Sequence, residues 1–179
     1  MLTPPHIASI AAVNIARLTE TPSMLPFTLY LVCNLGGRMM DGYVRRDGSI
    51  EHLADTDLRM CIDARTELTK QTARLLKTVF TLDPSDGSGC TTVGRCMTAL
   101  SNIHTEMEEN ALGECDGLLS YKNIIEIWAA DHELCEVCTR EMLAREVEER
   151  RRVWKLLPGI FGLTVEACGF ITGDEPSQS

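Results

Sequence analysis

Apolar residues recur at intervals of three and four along most of this chain, and no stretch clearly alternates apolar and polar residues. The clearest repeat consists of Val93, Cys96, Met97, Leu100, Ile103 and Met107. Such spacing places its members on one face of an α-helix, because a helical turn takes about 3.6 residues. Aromatic residues, which favour strands, make up only 5% of the chain. We therefore predict an all-α fold, an irregular bundle of about six to seven helices.

Residues that interrupt this periodicity separate the predicted helices. The helices are, in order, His6–Leu18, Met24–Leu35, a short one around Leu58–Ile62, Leu68–Phe80, Val93–Met107, Leu118–Ala130 and Leu134–Lys155. We expect the first helix to be buried, Ser23 to cap the second and Pro158 to stop the last. Residues 38–52, which contain Asp-Gly pairs, predict a loop with room for a short hairpin.

The length of the chain, 179 residues, fits one domain. We expect residues 1–163 to form a single helical domain with a weak break at 82–90, where Asp, Pro, Ser and Gly are concentrated. Residues 164–179 are expected to form a C-terminal tail that is partly disordered.

The last predicted helix is rich in charged residues that can pair one turn apart. Its candidate ion pairs are Glu141/Arg145, Glu146/Arg150 and Glu148/Arg152. Each has the acid on the N-terminal side, which is the favourable order and contributes about 0.3 kcal/mol. The remaining apolar residues, Leu143, Val147 and Trp154, predict a sparse apolar stripe. Only this side of the helix is expected to pack against the rest of the protein.

Two closely spaced cysteine pairs carry the clearest chemical signal in the chain. Cys135 and Cys138 begin the last helix with the spacing found in many zinc sites. Upstream, Cys90 lies in a Gly-rich loop, so its sulfur can turn toward Cys96. The four cysteines predict a metal site with structural zinc. Buried structural thiols, or redox chemistry by Cys135 and Cys138, remain the alternatives.

The charge and composition of the chain argue against two classes of binding partner, nucleic acids and membranes. The net charge of −9 opposes binding to nucleic acid, and no apolar run is long enough to cross a bilayer. We expect no membrane or nucleic-acid partner. The N-terminus lacks the pattern of a secretory signal, and eight cysteines in such a chain suggest reduced thiols. The expected location is intracellular, either cytoplasmic or nuclear.

The sequence contains no motif that points to a catalytic site. It has no phosphate-binding glycine loop between a strand and a helix and no HExxH helix. We therefore expect a non-enzymatic protein–protein interaction module, with protein partners of unknown identity. The alternative is a thiol redox enzyme that uses Cys135 and Cys138. The oligomeric state is left open.

The C-terminal pattern resembles the region after the BTB (POZ) domain in fungal, mainly mushroom-type, BTB-domain proteins. The matching residues are Cys135, Cys138, Arg151, Val153, Trp154, Leu157, Pro158, Phe161, Gly162 and Leu163. Residues 21–30 and 53–58 are similar to two further helices of that region, and Cys90 with Cys96 to its upstream cysteine pair. This sequence has no counterpart of the BTB core itself. The resemblance therefore implies the helical half alone, a scaffold without catalytic residues.

Overall fold

The computed structural model describes residues 6–84, 89–111 and 115–164. Within these ranges the fold is all-α, as predicted, with six α-helices. They are α1 (Ser9–Leu18), α2 (Leu25–Cys33), α3 (Asp55–Phe80), α4 (Val93–Ala111), α5 (Lys122–Asp131) and α6 (Glu136–Ile160). Short 3-10 helices cover His6–Ala8, Pro22–Met24 and Gly36–Met40, and strands β1 (Tyr43–Val44) and β2 (Ile50–Glu51) form an antiparallel hairpin. No helix of the described ranges is both long and apolar enough to span a membrane.

The chain divides into two compact units. The first contains the described residues up to Leu68 and those from Trp154 onward, and the second contains Thr69–Val153. The single domain expected over residues 1–163 stays a prediction. The expected C-terminal tail, apart from Thr164, lies outside the described residues.

The core of the first unit forms where α1 and α2 pack together. Ile10 and Val13 of α1 are buried, as are Leu29 and Val32 of α2. The expectation that the whole first helix is buried is wrong, because Leu18 is 83% exposed and Ile15 is also exposed. An amphipathic helix of this kind buries only the stripe that faces its neighbours.

The hairpin in the first unit confirms the short hairpin allowed for residues 38–52. Asn14 of α1 donates hydrogen bonds of 2.9 Å to the Glu51 carboxylate and to the His52 carbonyl. Gly42 has a φ of +80°, and a Cβ there would lie 2.7 Å from the Ile50 side chain. Only glycine therefore fits the turn into β1 without displacing its neighbours.

An ion pair joins α1 to the first turn of α3. The Arg17 guanidinium lies 2.5 Å from the carboxylate of Asp57, which is only 2% exposed. Asp57 also lies in the first turn of its helix, where the helix dipole favours a negative charge. α3 then continues to Phe80, so the two helices predicted here are one. Neither Gly nor Pro interrupts residues 55–80, so nothing breaks the helix.

The second unit has a core built from its part of α3 and from α4, α5 and α6. Its fully buried side chains include Leu75, Val79, Cys96, Ile103, Ile125, Cys138, Met142 and Val153. Phe80 and Trp128 pack edge to face, with ring centroids 5.9 Å apart. Met97 belongs to the predicted apolar repeat but is 53% exposed. Ala99, which the repeat does not include, is buried.

The buried stripe of α6 differs from the predicted one. Met142, Glu146 and Val153 are buried, whereas Val147 is 36% exposed and Leu143 and Trp154 are only partly buried. The predicted stripe is wrong because Glu146 occupies a core position and hides the true periodicity. Its carboxylate accepts a hydrogen bond of 3.0 Å from the Tyr121 backbone N–H and pairs with Arg150 at 2.7 Å.

Two of the predicted helical ion pairs form, and the third is replaced. Arg145 binds Glu141, and Arg150 binds Glu146. Arg152 instead pairs with Glu149 at 2.7 Å and donates a hydrogen bond of 2.6 Å to Gln71 of α3. Glu148 pairs with Arg151. The contact with α3 directs the Arg152 side chain away from Glu148.

Three predicted helix boundaries are also wrong. Ser23 lies in a 3-10 helix and does not cap α2, whose N-cap is Met24, and α5 begins at Lys122 rather than Leu118. Pro158 does not stop α6, because its missing N–H falls in the last turn and costs a single helical hydrogen bond. The helix ends instead at Ile160, two residues before Gly162, which has a φ of +63°. The N–H groups of Gly162 and Leu163 bond back to Gly159 and Pro158, as in a Schellman motif.

The Arg17–Asp57 pair predicts the effect of one substitution on stability. Asp57→Asn removes the charge that faces Arg17 and should lower the free energy of unfolding by about 1–2 kcal/mol. This is less than for a fully buried pair, because the Arg17 side chain is 41% exposed. Urea unfolding measures the loss. The matched control is Asp55→Asn at an exposed position of the same helical turn, which should change the free energy by less than about 0.5 kcal/mol. Equal effects of the two substitutions would contradict the assignment.

Candidate metal centre

The first pair of cysteines lies at the start of α4. Cys90 belongs to the non-helical segment 89–92. The first residue of this segment, Gly89, has a φ of +76°. Cys96 lies in the first turns of α4, and its N–H donates to the Thr92 carbonyl at 3.0 Å. The Thr92 hydroxyl also lies 3.3 Å from the Cys96 sulfur. Thr92 is not among the predicted site residues, although a threonine directly before a helix is a recognisable N-cap signal.

The second pair lies at the start of α6. α5 ends in a turn in which Glu133 adopts a φ of +54° and the Leu134 N–H bonds back to the Ala129 carbonyl at 2.8 Å. This turn leads directly to Cys135, whose carbonyl accepts the N–H of Thr139 at 3.0 Å. Cys135 therefore caps α6, and Cys138 follows in its first turn, so both sulfurs lie at the same end of the helix.

The structure brings the four cysteines together in one cluster, which we call the four-cysteine cluster. The sulfurs of Cys90, Cys96, Cys135 and Cys138 all lie within 4.8 Å of one another. The Cys90 and Cys135 sulfurs are 3.7 Å apart. A tetrahedral zinc with bonds of about 2.3 Å needs sulfurs about 3.8 Å apart. The cluster thus has the composition and nearly the size of a four-thiolate metal site, and metal ligation stays a prediction.

Burial divides the cluster into two halves. Cys96 and Cys138 are completely buried, whereas Cys90 and Cys135 are partly exposed. The buried sulfurs belong to helices and join the core of the second unit. The other sulfurs lie on the non-helical residues that precede α4 and α6. Solvent therefore reaches the cluster from the side of Cys90 and Cys135.

The environment also distinguishes the thiols by their pKa. Burial alone raises the pKa of Cys135, but hydrogen bonds from the Cys138 backbone N–H and the neighbouring thiols outweigh it and lower the pKa to about 7. Burial raises the pKa of Cys138, and the hydrogen bond to Cys135 raises it further. Burial also raises the pKa of Cys90. Of these three thiols, Cys135 therefore loses its proton at the lowest pH.

Other residues of the types that bind metals lie outside the cluster. The His132 imidazole pairs with Glu106 at 3.2 Å and is not part of the cluster. Cys115 is buried outside the cluster. Cys33 and Cys61 belong to the first unit, where the Cys33 sulfur lies 3.4 Å from the Cys61 carbonyl. Among the described residues, these thiols are not grouped for metal binding.

A groove lies next to the cluster, between the end of α5 and the start of α6. It has a volume of about 360 Å³. Ala130, Leu134 and Leu143 supply apolar lining, and Glu136 and Arg140 supply charged lining. Because α6 begins with the two cysteines, the position of this groove depends on the same helix start as the cluster.

The chain was compared with protein families, curated proteins and solved structures. None of these comparisons finds a matching family model, a curated relative or a similar solved structure.

The pKa of Cys135 predicts how the thiols of the metal-free, reduced protein react with iodoacetamide. Cys135 should be alkylated before Cys90 and Cys138 at pH 7, because only the thiolate is nucleophilic and the pKa values of those two thiols are raised. Lowering the pH from 7 to 6 should slow its alkylation about fivefold, since a group with a pKa of about 7 is then mostly protonated. Peptide mass spectrometry measures each rate, with buried Cys138 as the internal control. Alkylation of Cys138 as fast as that of Cys135 would contradict this prediction.

Proposed function

We propose that this chain is a non-enzymatic protein–protein interaction module whose helical scaffold is stabilised by a structural zinc ion. The ligands would be Cys90, Cys96, Cys135 and Cys138. The observation that carries the proposal is the grouping of their sulfurs within 4.8 Å of one another. Thiolate ligands in a tetrahedral set suit zinc, and the reduced interior of a cell, cytoplasmic or nuclear, preserves them.

The number of protein ligands favours a structural role for the metal. A catalytic zinc keeps one coordination position open for water or substrate, whereas a structural zinc has four protein ligands. The four-cysteine cluster would supply all four from the protein. Cys90 and Cys135 are 45 residues apart in sequence, so the metal would close a long loop and join the starts of α4 and α6. Cross-links that close long loops restrict the unfolded chain most.

The interaction role is supported by the groove beside the cluster and by the resemblance to the post-BTB region of fungal BTB proteins. The groove combines apolar and charged lining residues, as surfaces that bind other proteins do. The proposed zinc would hold the N-terminal end of α6, which forms one wall of this groove. We therefore propose that the metal maintains a binding surface rather than a reaction site.

A thiol redox enzyme that uses Cys135 and Cys138 is the second candidate. One observation favours it, namely the partly exposed Cys135 thiol with its pKa lowered to about 7. Reduction of a disulfide substrate by catalytic amounts of the reduced protein, with loss of turnover in Cys135→Ser, would favour this function over the interaction module.

Metal content tests the zinc proposal directly. Protein purified under reducing conditions should contain about one zinc per chain by elemental mass spectrometry. Cys138→Ser should lose most of the metal, whereas Cys115→Ser, which changes a buried thiol outside the cluster, should keep it. Removal of zinc by a chelator should lower the midpoint of thermal unfolding by about 10 °C or more, since several kcal/mol of binding energy are lost. Full thermal stability without metal would contradict a structural zinc.

A pair of surface substitutions tests the interaction role. Leu143→Glu places a charge in the groove and should abolish binding to protein partners captured by the native chain. Ile127→Glu is the matched control, because Ile127 is an exposed apolar residue that does not line the groove. It should leave partner binding unchanged. Quantitative mass spectrometry of the captured proteins distinguishes the two variants, and equal binding by both would contradict a role for the groove.

A further inference from the structure

We propose that the four-cysteine cluster is a redox-sensitive modification site, in which a hydroperoxide joins Cys90 and Cys135 in a disulfide that expels the zinc. This inference rests on the proposed function, because it assigns a form of regulation to the same metal site. It differs from the redox-enzyme alternative in the pair of cysteines that reacts and in the absence of a substrate disulfide.

Distance and exposure select this pair of sulfurs. The Cys90 and Cys135 sulfurs are 3.7 Å apart, which is close to van der Waals contact for two sulfur atoms. Both are partly exposed, whereas Cys96 and Cys138 are completely buried. An oxidant that arrives from solvent therefore meets the two sulfurs that already lie side by side.

The same two residues lie outside the helical segments. Disulfide formation requires the sulfurs to approach to about 2.05 Å. Cys90 lies on the non-helical segment 89–92 after Gly89, and Cys135 precedes the first residue of α6. Cys96 and Cys138 are held within helices by backbone hydrogen bonds and core packing. Closure between Cys90 and Cys135 therefore disturbs the helices least.

The reaction proceeds in two steps. One exposed thiolate, that of Cys90 or Cys135, attacks the peroxide. An S–O bond forms, the O–O bond breaks, and the released hydroxide takes a proton to give water. The other thiolate then attacks the oxidised sulfur, so that an S–S bond forms, the S–O bond breaks, and a second hydroxide takes a proton. The two sulfurs lose two electrons in total, and these reduce one hydrogen peroxide to two waters.

Loss of two thiolates leaves too few ligands to hold the metal. Zinc leaves as Zn²⁺, and the thiolates of Cys96 and Cys138 each take a proton. The new disulfide links the same two segments that the zinc linked, namely residues 89–92 and the start of α6. Oxidation thus exchanges a metal cross-link for a covalent one, and a reducing thiol together with zinc reverses the exchange.

The experiment combines a zinc measurement with a disulfide map. The zinc-loaded full chain is treated with one equivalent of hydrogen peroxide, and released zinc is followed with a chromogenic chelator. Free thiols are then blocked at acid pH, and the unreduced protein is digested with trypsin and a Glu-specific protease. Cleavage after Arg95 separates Cys90 from Cys96, and cleavage after Glu136 separates Cys135 from Cys138. Every disulfide within the cluster is therefore assigned without ambiguity.

The expected result is release of about one zinc per chain together with a Cys90–Cys135 disulfide. Retention of zinc at one equivalent of peroxide would overturn the inference while leaving the structural zinc intact. A Cys135–Cys138 disulfide would overturn it in favour of the redox-enzyme alternative. A chain that contains no zinc before oxidation would overturn the proposed function, and the inference with it, so the metal content at the start separates the two failures.

Two variants test the Cys90–Cys135 pairing without relying on zinc release. Cys96→Ser combined with Cys138→Ser removes the buried ligands but keeps the exposed pair, so peroxide should still form the Cys90–Cys135 disulfide. Cys90→Ser removes one member of the pair. Peroxide should then form no disulfide between Cys135 and residues 89–92. Cys115→Ser is the matched control outside the cluster and should release zinc as the native chain does. Failure of the double variant to form the disulfide would overturn the proposed pairing.

Discussion

The second unit depends on one buried carboxylate, that of Glu146. This side chain is 1% exposed and lies midway along the buried stripe of α6. A carboxylate is tolerated there only if partners compensate for the lost water, and Arg150 and the Tyr121 N–H supply them. Tyr121 directly precedes α5. The buried charge therefore joins the start of α5 to the middle of α6, and α5 in turn leads through the Glu133 turn to Cys135.

The four-cysteine cluster lies where the α5–α6 connection meets the start of α4. α5 and α6 are connected by a tight turn, and the first turn of α6 shares a buried core with α4. Cys138 then meets Cys96 in the core, while Cys90 and Cys135 remain near solvent. This division between buried and exposed sulfurs supports both proposals. The buried pair would anchor a structural metal, and the exposed pair would be the point at which an oxidant reaches it.

Local patterns predicted much of the fold. The helical class, the hairpin after α2 and the two cysteine pairs follow from spacing and turn residues alone. Several of the errors arose where tertiary contacts, or the position of a residue within its helix, decide the outcome. Glu146 is a charged residue at a buried position, so the sequence pattern does not reveal the buried stripe of α6. Arg152 donates a hydrogen bond to Gln71 and does not pair with Glu148. Pro158 lies close enough to the end of α6 for the helix to continue to Ile160. In each case a contact with another segment, or the position within a helix, outweighed the usual preference of the residue.

The sequence by itself determined that this chain is helical and that each cysteine pair lies at the start of a helix, because both properties depend on neighbours within a few residues. It led to the hypothesis that the two pairs form one site but could not determine that they meet. Cys90 and Cys135 are 45 residues apart, and helical periodicity defines which face of a helix is apolar without defining which other face it contacts. Only the tertiary structure decided this, because core packing selects one arrangement of the helices and thereby brings the four sulfurs within 4.8 Å of one another.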